Sequence, residues 1–500
     1  MRLLTTTAVV ALATMACLVD AQEQKPLTGT HDTARSKFNL REQDSELCDS
    51  GARQWTGTVN VTSEKSMFFC EPDTVIFRRP FTDVLGYFES RHSPETDPLL
   101  LWMSGGPGGA GELGIFLGSG PCAVNHDGNS TRRLDYSWID RANVVYIDQP
   151  IGVGFSKITD RDSIAVSLQE GARDVHEFLS IFSAQVFPDL AGRPWHITGE
   201  SMGGHYVTGY THYMASLGRD MAAQGLESPI NVSSAIIVDG YIDATRQIVG
   251  YYDFFCTDWA ADGRESPLMN DTACSDMAAA IPTCELMGAH CRETYSIKTC
   301  HAAYETCDLT VSQYLIDEIR PGGWDPYDSR HPCETPPECS NFGHGATWRF
   351  FNQPWVQKKL GFRPFPFELI DLDTNSRWDR AGNIYLPVTE ELTWILDNTD
   401  IRVLFINGNN DIIINTPGQM RMLDEQPWKD QTQYQDLDYE EWRFKDGELT
   451  AGTDLENTQR GGFWKGTDRL SLYAVDEAGH FAPRHQPEAI GAVIRRWLHG

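Results

Sequence analysis

The sequence is short of positive charge. Its 500 residues carry 41 Lys+Arg against 70 Asp+Glu, a formal net charge of −29 at pH 7. No run of Lys or Arg exceeds two residues. Without a basic stripe the chain cannot track phosphates, which excludes a nucleic-acid partner, and it has no polybasic membrane anchor. Internal repeats and long low-complexity segments are absent, and beyond the N-terminus no stretch is apolar enough to span a bilayer. No C-x2-C pair occurs, which weighs against a zinc site. The 41% hydrophobic and 22% charged content is that of a globular protein and excludes disorder, collagen and coiled coil. Length alone suggests two or three domains, although a large α/β sheet with insertions also reaches this size as one unit.

What is present first defines a compartment. Arg2 precedes an apolar stretch, Leu3 to Val19, and Val19-Asp20-Ala21 fits a small-residue cleavage site, so residues 1–21 read as a secretory signal peptide. Residues 22–47 are polar, without periodicity, and read as a leader or short propeptide. A secreted or vacuolar/lysosomal location follows as an expectation, and sequons at Asn60, Asn129, Asn231 and Asn270 become expected glycan sites. Losing Cys17 with the signal leaves eleven of the 12 cysteines, an odd number. Cys284, Cys291, Cys300 and Cys307 are spaced 7, 9 and 7 apart, which suits nested pairing, Cys284 with Cys307 and Cys291 with Cys300. Cys256 with Cys274 and Cys333 with Cys339 could close two further loops. Zinc is the competing reading, but the secretory route favours disulfides and no metal is expected. Among Cys48, Cys70 and Cys122 the working assignment pairs Cys48 with Cys122 and leaves Cys70 free.

Six short, wholly apolar runs follow: Leu99–Trp102, Val144–Ile147, Trp195–Thr198, Ala235–Val238, Val403–Ile406 and Leu472–Val475. They lack alternation, as strands buried on both faces do. Ile164, Leu168, Ala172, Val175, Phe178, Leu179 and Phe182 recur at helical spacing, with Asp162 or Ser163 as the expected N-cap. Strand, helix and strand in this order predict an α/β fold with a mostly parallel sheet and helices on both faces. Residues 250–345 break the rhythm. They hold eight cysteines and no clear buried strand, and read as a disulfide-rich cap inserted between core segments 48–249 and 346–500.

The chemistry sits at the strand ends. Gly199-Glu200-Ser201-Met202-Gly203 follows one apolar run and precedes a helix-like segment, the context a nucleophile elbow needs. The run ending at Ile406 leads to Asp411, and the run ending at Val475 leads to His480, so Ser201, Asp411 and His480 form a candidate triad. An oxyanion hole needs two backbone N–H donors. Met202 offers one, and the loop Ser104-Gly105-Gly106-Pro107-Gly108-Gly109 the other. Gly106, Gly108 and Gly111 also match a dinucleotide fingerprint, but Pro107 and the triad argue against a Rossmann unit, and no cofactor is expected.

From about Phe68 to the C-terminus these blocks resemble the serine carboxypeptidases of the α/β-hydrolase fold. They are Trp102-x-Ser104-Gly-Gly-Pro-Gly108, Asp148 to Ser156, Gly199 to Tyr206, Gly408 to Asp411, and Gly479 to Pro483 with Gln486-Pro487. The resemblance implies Ser201 as nucleophile, His480 as base, Asp411 as its partner, and Gly106 and Met202 as oxyanion donors. It also implies peptide C-termini as substrates, usually in acid. Carboxylate recognition would fall to Trp102, Ser104, Gly105 and Glu200. Here the sequence departs from the family pattern. Ser104 stands where that pattern has asparagine, and Gly118 where it has the first of two glutamates. Glu112 is close in sequence but six positions early. An acyltransferase or esterase using the same triad is therefore the rival expectation, and a binding protein without catalysis the third.

Overall fold

The six apolar runs become adjacent parallel strands. In the computed structural model they run in the order Leu470–Val475, Arg402–Gly408, Val232–Val238, Trp195–Glu200, Leu99–Met103 and Asn143–Ile147. The structure describes residues 38–61, 65–67, 86–257, 267–334, 336, 339, 345–450 and 457–499. The expected signal peptide, residues 22–37 of the expected leader, and Cys17 and Cys70 lie outside them.

Burial on both faces explains the missing alternation. Leu99, Leu101 and Met103 belong to one apolar cluster, and Leu100 and Trp102 to the other, on opposite faces of the sheet. All five are at most 1% exposed. Each such side chain contributes about 1.5–3 kcal/mol when taken from water, an upper figure for a chain already partly collapsed. Antiparallel strands extend the sheet on both sides to 14 among the described residues. The fold is α/β, mostly parallel at its centre and covered by helices, as the apolar pattern predicts, and its architecture is the α/β hydrolase that the resemblance implies.

Three local readings differ from the sequence expectation. Residues 38–43, inside the segment read as a leader, form an edge strand antiparallel to Gln54–Asn60. The helix expected from Asp162 or Ser163 spans Leu168–Ile181 instead, with Ser167 as N-cap accepting the Glu170 N–H. Residues 161–163 form a separate 3-10 turn capped by Asp160. Ile164 and Ala165 are buried as the periodicity implies, but they sit in the connection between the two.

The cysteine-rich segment is built from helices Ala244–Cys256, Asp271–Thr294 and Ile297–Cys307. The first runs across residue 250, and a two-stranded ribbon, Trp324–Asp325 with Asp328–Pro332, stands where no strand is expected. The segment has a small apolar cluster of its own, including Phe254, Met277, Cys284 and Val311, which reaches Ile412 beside Asp411. Disulfides join Cys284 to Cys307, Cys291 to Cys300, Cys256 to Cys274 and Cys333 to Cys339. A fifth joins Cys48 to Cys122.

Candidate active site

Parallel strands point their C-terminal ends to one side, and all three triad candidates lie just past such ends. Ser201 directly follows the Trp195–Glu200 strand and precedes the Gly203–Ala223 helix. Its φ is 62°, a left-handed conformation that costs a non-glycine residue on the order of 1–2 kcal/mol. Backbone bonds hold it there. Its N–H donates to Val238 O at 3.0 Å, and its carbonyl accepts from the N–H groups of Gly204 (2.9 Å) and Tyr241 (2.9 Å). The turn is tight because Gly199 and Gly203 have no side chains. A Cβ at either would lie 3.0 Å and 3.1 Å from Met103 O.

Asp411 and His480 are brought together. His480 Nδ1 and Asp411 Oδ2 are 2.7 Å apart, and both side chains are buried. Asp411 Oδ1 accepts the Ile414 N–H at 3.1 Å. The His480 N–H donates to Tyr327 O at 2.7 Å, and the Tyr327 ring packs 5.2 Å from the imidazole. Burial depresses the imidazole pKa, but the Asp411 charge and hydrogen bond outweigh it, and the net shift is upward.

The glycine loop meets the elbow directly. A Cβ on Gly105 would fall 2.6 Å from Glu200 O, 2.6 Å from Ser201 Cβ and 2.8 Å from Met202 N. Gly106 has φ of 112°, open only to glycine. Among the described residues neither the Gly106 nor the Met202 N–H donates to a backbone carbonyl. Both stay available to a developing oxyanion, with the N-terminus of the 21-residue Gly203–Ala223 helix behind them.

The carboxylate-recognition candidates separate into two groups. Trp102 is wholly buried under the loop, edge-on to Trp138 with centroids 5.2 Å apart, and acts as packing. Ser104 and Glu200 form the other group. Met103 pairs in register with Gly199, which puts Ser104 level with Glu200 across neighbouring strands. Ser104 Oγ and Glu200 Oε1 are both buried without a hydrogen-bond partner. Leaving such atoms unpaired costs roughly 1–3 kcal/mol each. Burial, with a further push from Asp411 against the opposing pull of His480, raises Glu200 to about 8.

Glu112 is not part of this group. It is buried in the Gly111–Phe116 helix and interacts with Asp148, whose carboxylate accepts the N–H groups of Gly111 (2.6 Å) and Phe155 (2.8 Å). Burial and then the Asp148 charge push Glu112 well up, and burial pushes Asp148 to about 7. Sequence reading missed Asp148 as a loop anchor, Tyr327 beside the imidazole, and Asp239. The last had a usable signal: it is a carboxylate one residue beyond a central parallel strand.

The expected glycan sites also separate. Asn129, Asn231 and Asn270 are exposed, whereas Asn60 is half-buried in a strand.

A strained serine at a strand-to-helix elbow, a buried His–Asp pair and a glycine loop with an unbonded Gly106 N–H define a serine hydrolase of the α/β-hydrolase class. The family model of serine carboxypeptidases matches residues 86–500, and the chain belongs to that family. It is 29% identical over 415 residues to a carboxypeptidase Y homolog A of Sclerotinia sclerotiorum, covering 82% of this chain and 69% of that one. It is 29% identical over 475 residues to carboxypeptidase Y of Schizosaccharomyces pombe, covering 92% of this chain and 43% of that one. Among solved structures it resembles a prohormone-processing carboxypeptidase from Saccharomyces cerevisiae, with TM-score 0.64 and 18% identity over 92% of this chain and 90% of that one. The protein is a serine-type carboxypeptidase.

Proposed function

We propose that Ser201 attacks the carbonyl of the last peptide bond and forms an acyl-enzyme that water then hydrolyses. His480 takes the serine proton and returns it to the leaving amine, while Asp411 fixes the imidazole through Nδ1. The Gly106 and Met202 N–H groups hold the oxyanion. The observation that carries this reading is the strained Ser201 at a strand end, with a His–Asp pair bonded at 2.7 Å past neighbouring strand ends.

The substrate's free carboxylate would lie against the unpaired Ser104 hydroxyl and Glu200 carboxyl. Glu200 donates only while protonated. Its raised pKa keeps it so in acid and at neutral pH, and the donor is lost as pH rises through about 8. The expected outcome is a kcat/KM for free-acid dipeptides that falls through this range, while the corresponding C-terminal amides and esters hold their rates. Ser201→Ala should abolish turnover and organophosphate labelling, and retained peptidase activity in that variant would sink the reading.

One observation favours a second reading. Glu112 interacts with Asp148, and Ser104 is shorter than an amide, so the carboxylate clamp lacks the first glutamate and the amide of the family pattern. An acyltransferase or esterase on the same triad would prefer blocked substrates in the same assay. The five disulfides support passage through an oxidising secretory route, with glycans at Asn129, Asn231 and Asn270. No helix among the described residues is long and apolar enough to cross a membrane.

A further inference from the structure

Acyl transfer as set out above gives no task to Asp239, yet this carboxyl lies at the centre of the site. It stands one residue past the Val232–Val238 strand, fully buried, with φ of 44°. A non-glycine residue in that conformation costs on the order of 1–2 kcal/mol, so its surroundings must hold it. Its N–H donates to Ile406 O at 2.8 Å. Its Oδ1 accepts the Gly408 N–H at 2.7 Å, and the Ala482 N–H bears on the same carboxyl electrostatically, favouring its charged form. Gly408 opens the turn that carries Asp411, and Ala482 lies two residues after His480. Those two loops also press on each other, since a Cβ at Gly408 would sit 2.4 Å from Gly479 O and 2.5 Å from Ala478 O. One side chain therefore ties the loop of the acid and the loop of the base to the strand beside the nucleophile.

The remaining oxygen, Oδ2, is buried without a hydrogen-bond partner. The charged groups that bear on it are Asp411 and Glu200, both carboxyls. An ionised Asp239 would add a further negative charge to a buried cluster in which the imidazolium of His480 is already paired with Asp411.

We propose that Asp239 is a positioning residue that works as a neutral carboxyl, clamping the Gly408 N–H with the Ala482 N–H beside it, so that Asp411 and His480 stay in bonding register. It keeps its proton through turnover and touches neither substrate nor reacting atoms. Burial and the Asp411 charge push its carboxyl well above the usual range, the direction this role requires.

The inference rests on the triad reading, so organophosphate labelling of wild type at Ser201 tests that reading separately: its absence refutes the triad and not the clamp. The clamp is tested with Asp239→Ala and Asp239→Asn, measuring kcat, KM and melting temperature on a blocked dipeptide across pH. The alanine variant is expected to lose about 30-fold or more in kcat with KM within about threefold, because the loops loosen while Ser104 and Glu200 remain. Asparagine keeps a neutral acceptor and is expected to restore kcat to within about fivefold of wild type. Its acidic limb of kcat/KM, set by His480, is expected to stay within about 0.2 pH units of wild type. Wild-type kcat in the alanine variant overturns the proposal, as does an asparagine variant no better than alanine. A fall of about half a unit or more in the acidic limb of the asparagine variant also overturns it, because it would show that a carboxylate had been supporting the imidazolium. Should the alanine variant not fold, the acidic limb of the asparagine variant decides alone.

Discussion

In the Leu99–Met103 strand all five residues are buried, whereas in the Asp271–Thr294 helix five of 24 are, and two of those five are cysteines. The sheet edge that carries the triad is held by apolar burial on both faces. The cysteine-rich segment leaves Leu286 and Leu309 at 70% and 66% exposure and is fastened by disulfides. The difference teaches where each region can tolerate change. A catalytic edge of packed strands transmits every small displacement to the reacting atoms, while a cross-linked helical pair can loosen without moving them.

The largest effect should come from within the edge. Asp411→Asn keeps the shape but leaves the imidazole in the wrong tautomer, and kcat should fall by about 10³–10⁴ with the melting temperature little changed. Gly105→Ala comes next. Its methyl would meet Glu200 O and Ser201 Cβ at 2.6 Å, so a loss of about 10² in kcat is expected, read by burst kinetics. A near-normal kcat in that variant would break the contrast, since the edge would then absorb strain.

The cross-linked helices, unlike the Tyr327 turn of the same segment that touches His480, should respond in stability and not in chemistry. Replacing Cys284 and Cys307 by serine opens a 23-residue separation, and replacing Cys291 and Cys300 opens one of 9. Loop entropy puts these near 3.4 and 2.6 kcal/mol, so proteolysis of the segment should accelerate in that order while kcat stays within a few-fold. The smallest effect belongs to Glu112→Gln. Glu112 and Asp148 are both raised in the fold, so the native state holds protons that the unfolded chain has released. Their stabilisation is complete below the unfolded values of 4.5 and 3.8 and is lost at higher pH, through about 7 for Asp148. The variant should gain a few degrees in melting temperature at pH 8 and almost nothing at pH 4, measured by calorimetry.

Much of the edge was legible because burial on both faces leaves a plain trace. All six apolar runs are central strands, and Ser201, Asp411 and His480 follow three of them. The rest depended on contacts that sequence does not print. Ile164 fits a helical period, yet it is buried in a connection, since periodicity reports burial and not hydrogen bonding. The 38–43 strand is polar enough to pass for a leader because it lies at an edge, where pairing replaces apolar burial. Glu112 lies six positions before Gly118, where the family pattern has its first glutamate, but the helix that carries it sets the carboxyl against Asp148. Asp239 was visible as a strand-end acid, but nothing in the sequence shows it bonded to the Gly408 loop with the Ala482 N–H beside it.

The unpaired Ser104 hydroxyl and Glu200 carboxyl have a calorimetric consequence. Under the carboxylate recognition proposed above, the empty enzyme lacks the Glu200 proton once pH has risen through about 8, whereas the product-bound enzyme needs it back. Each released amino acid therefore competes for the site together with a proton drawn from solution, and its measured heat of binding follows the ionisation enthalpy of the buffer. Product inhibition weakens as the medium turns alkaline, so acidity governs how tightly the enzyme holds its product as well as how well it recognises its substrate.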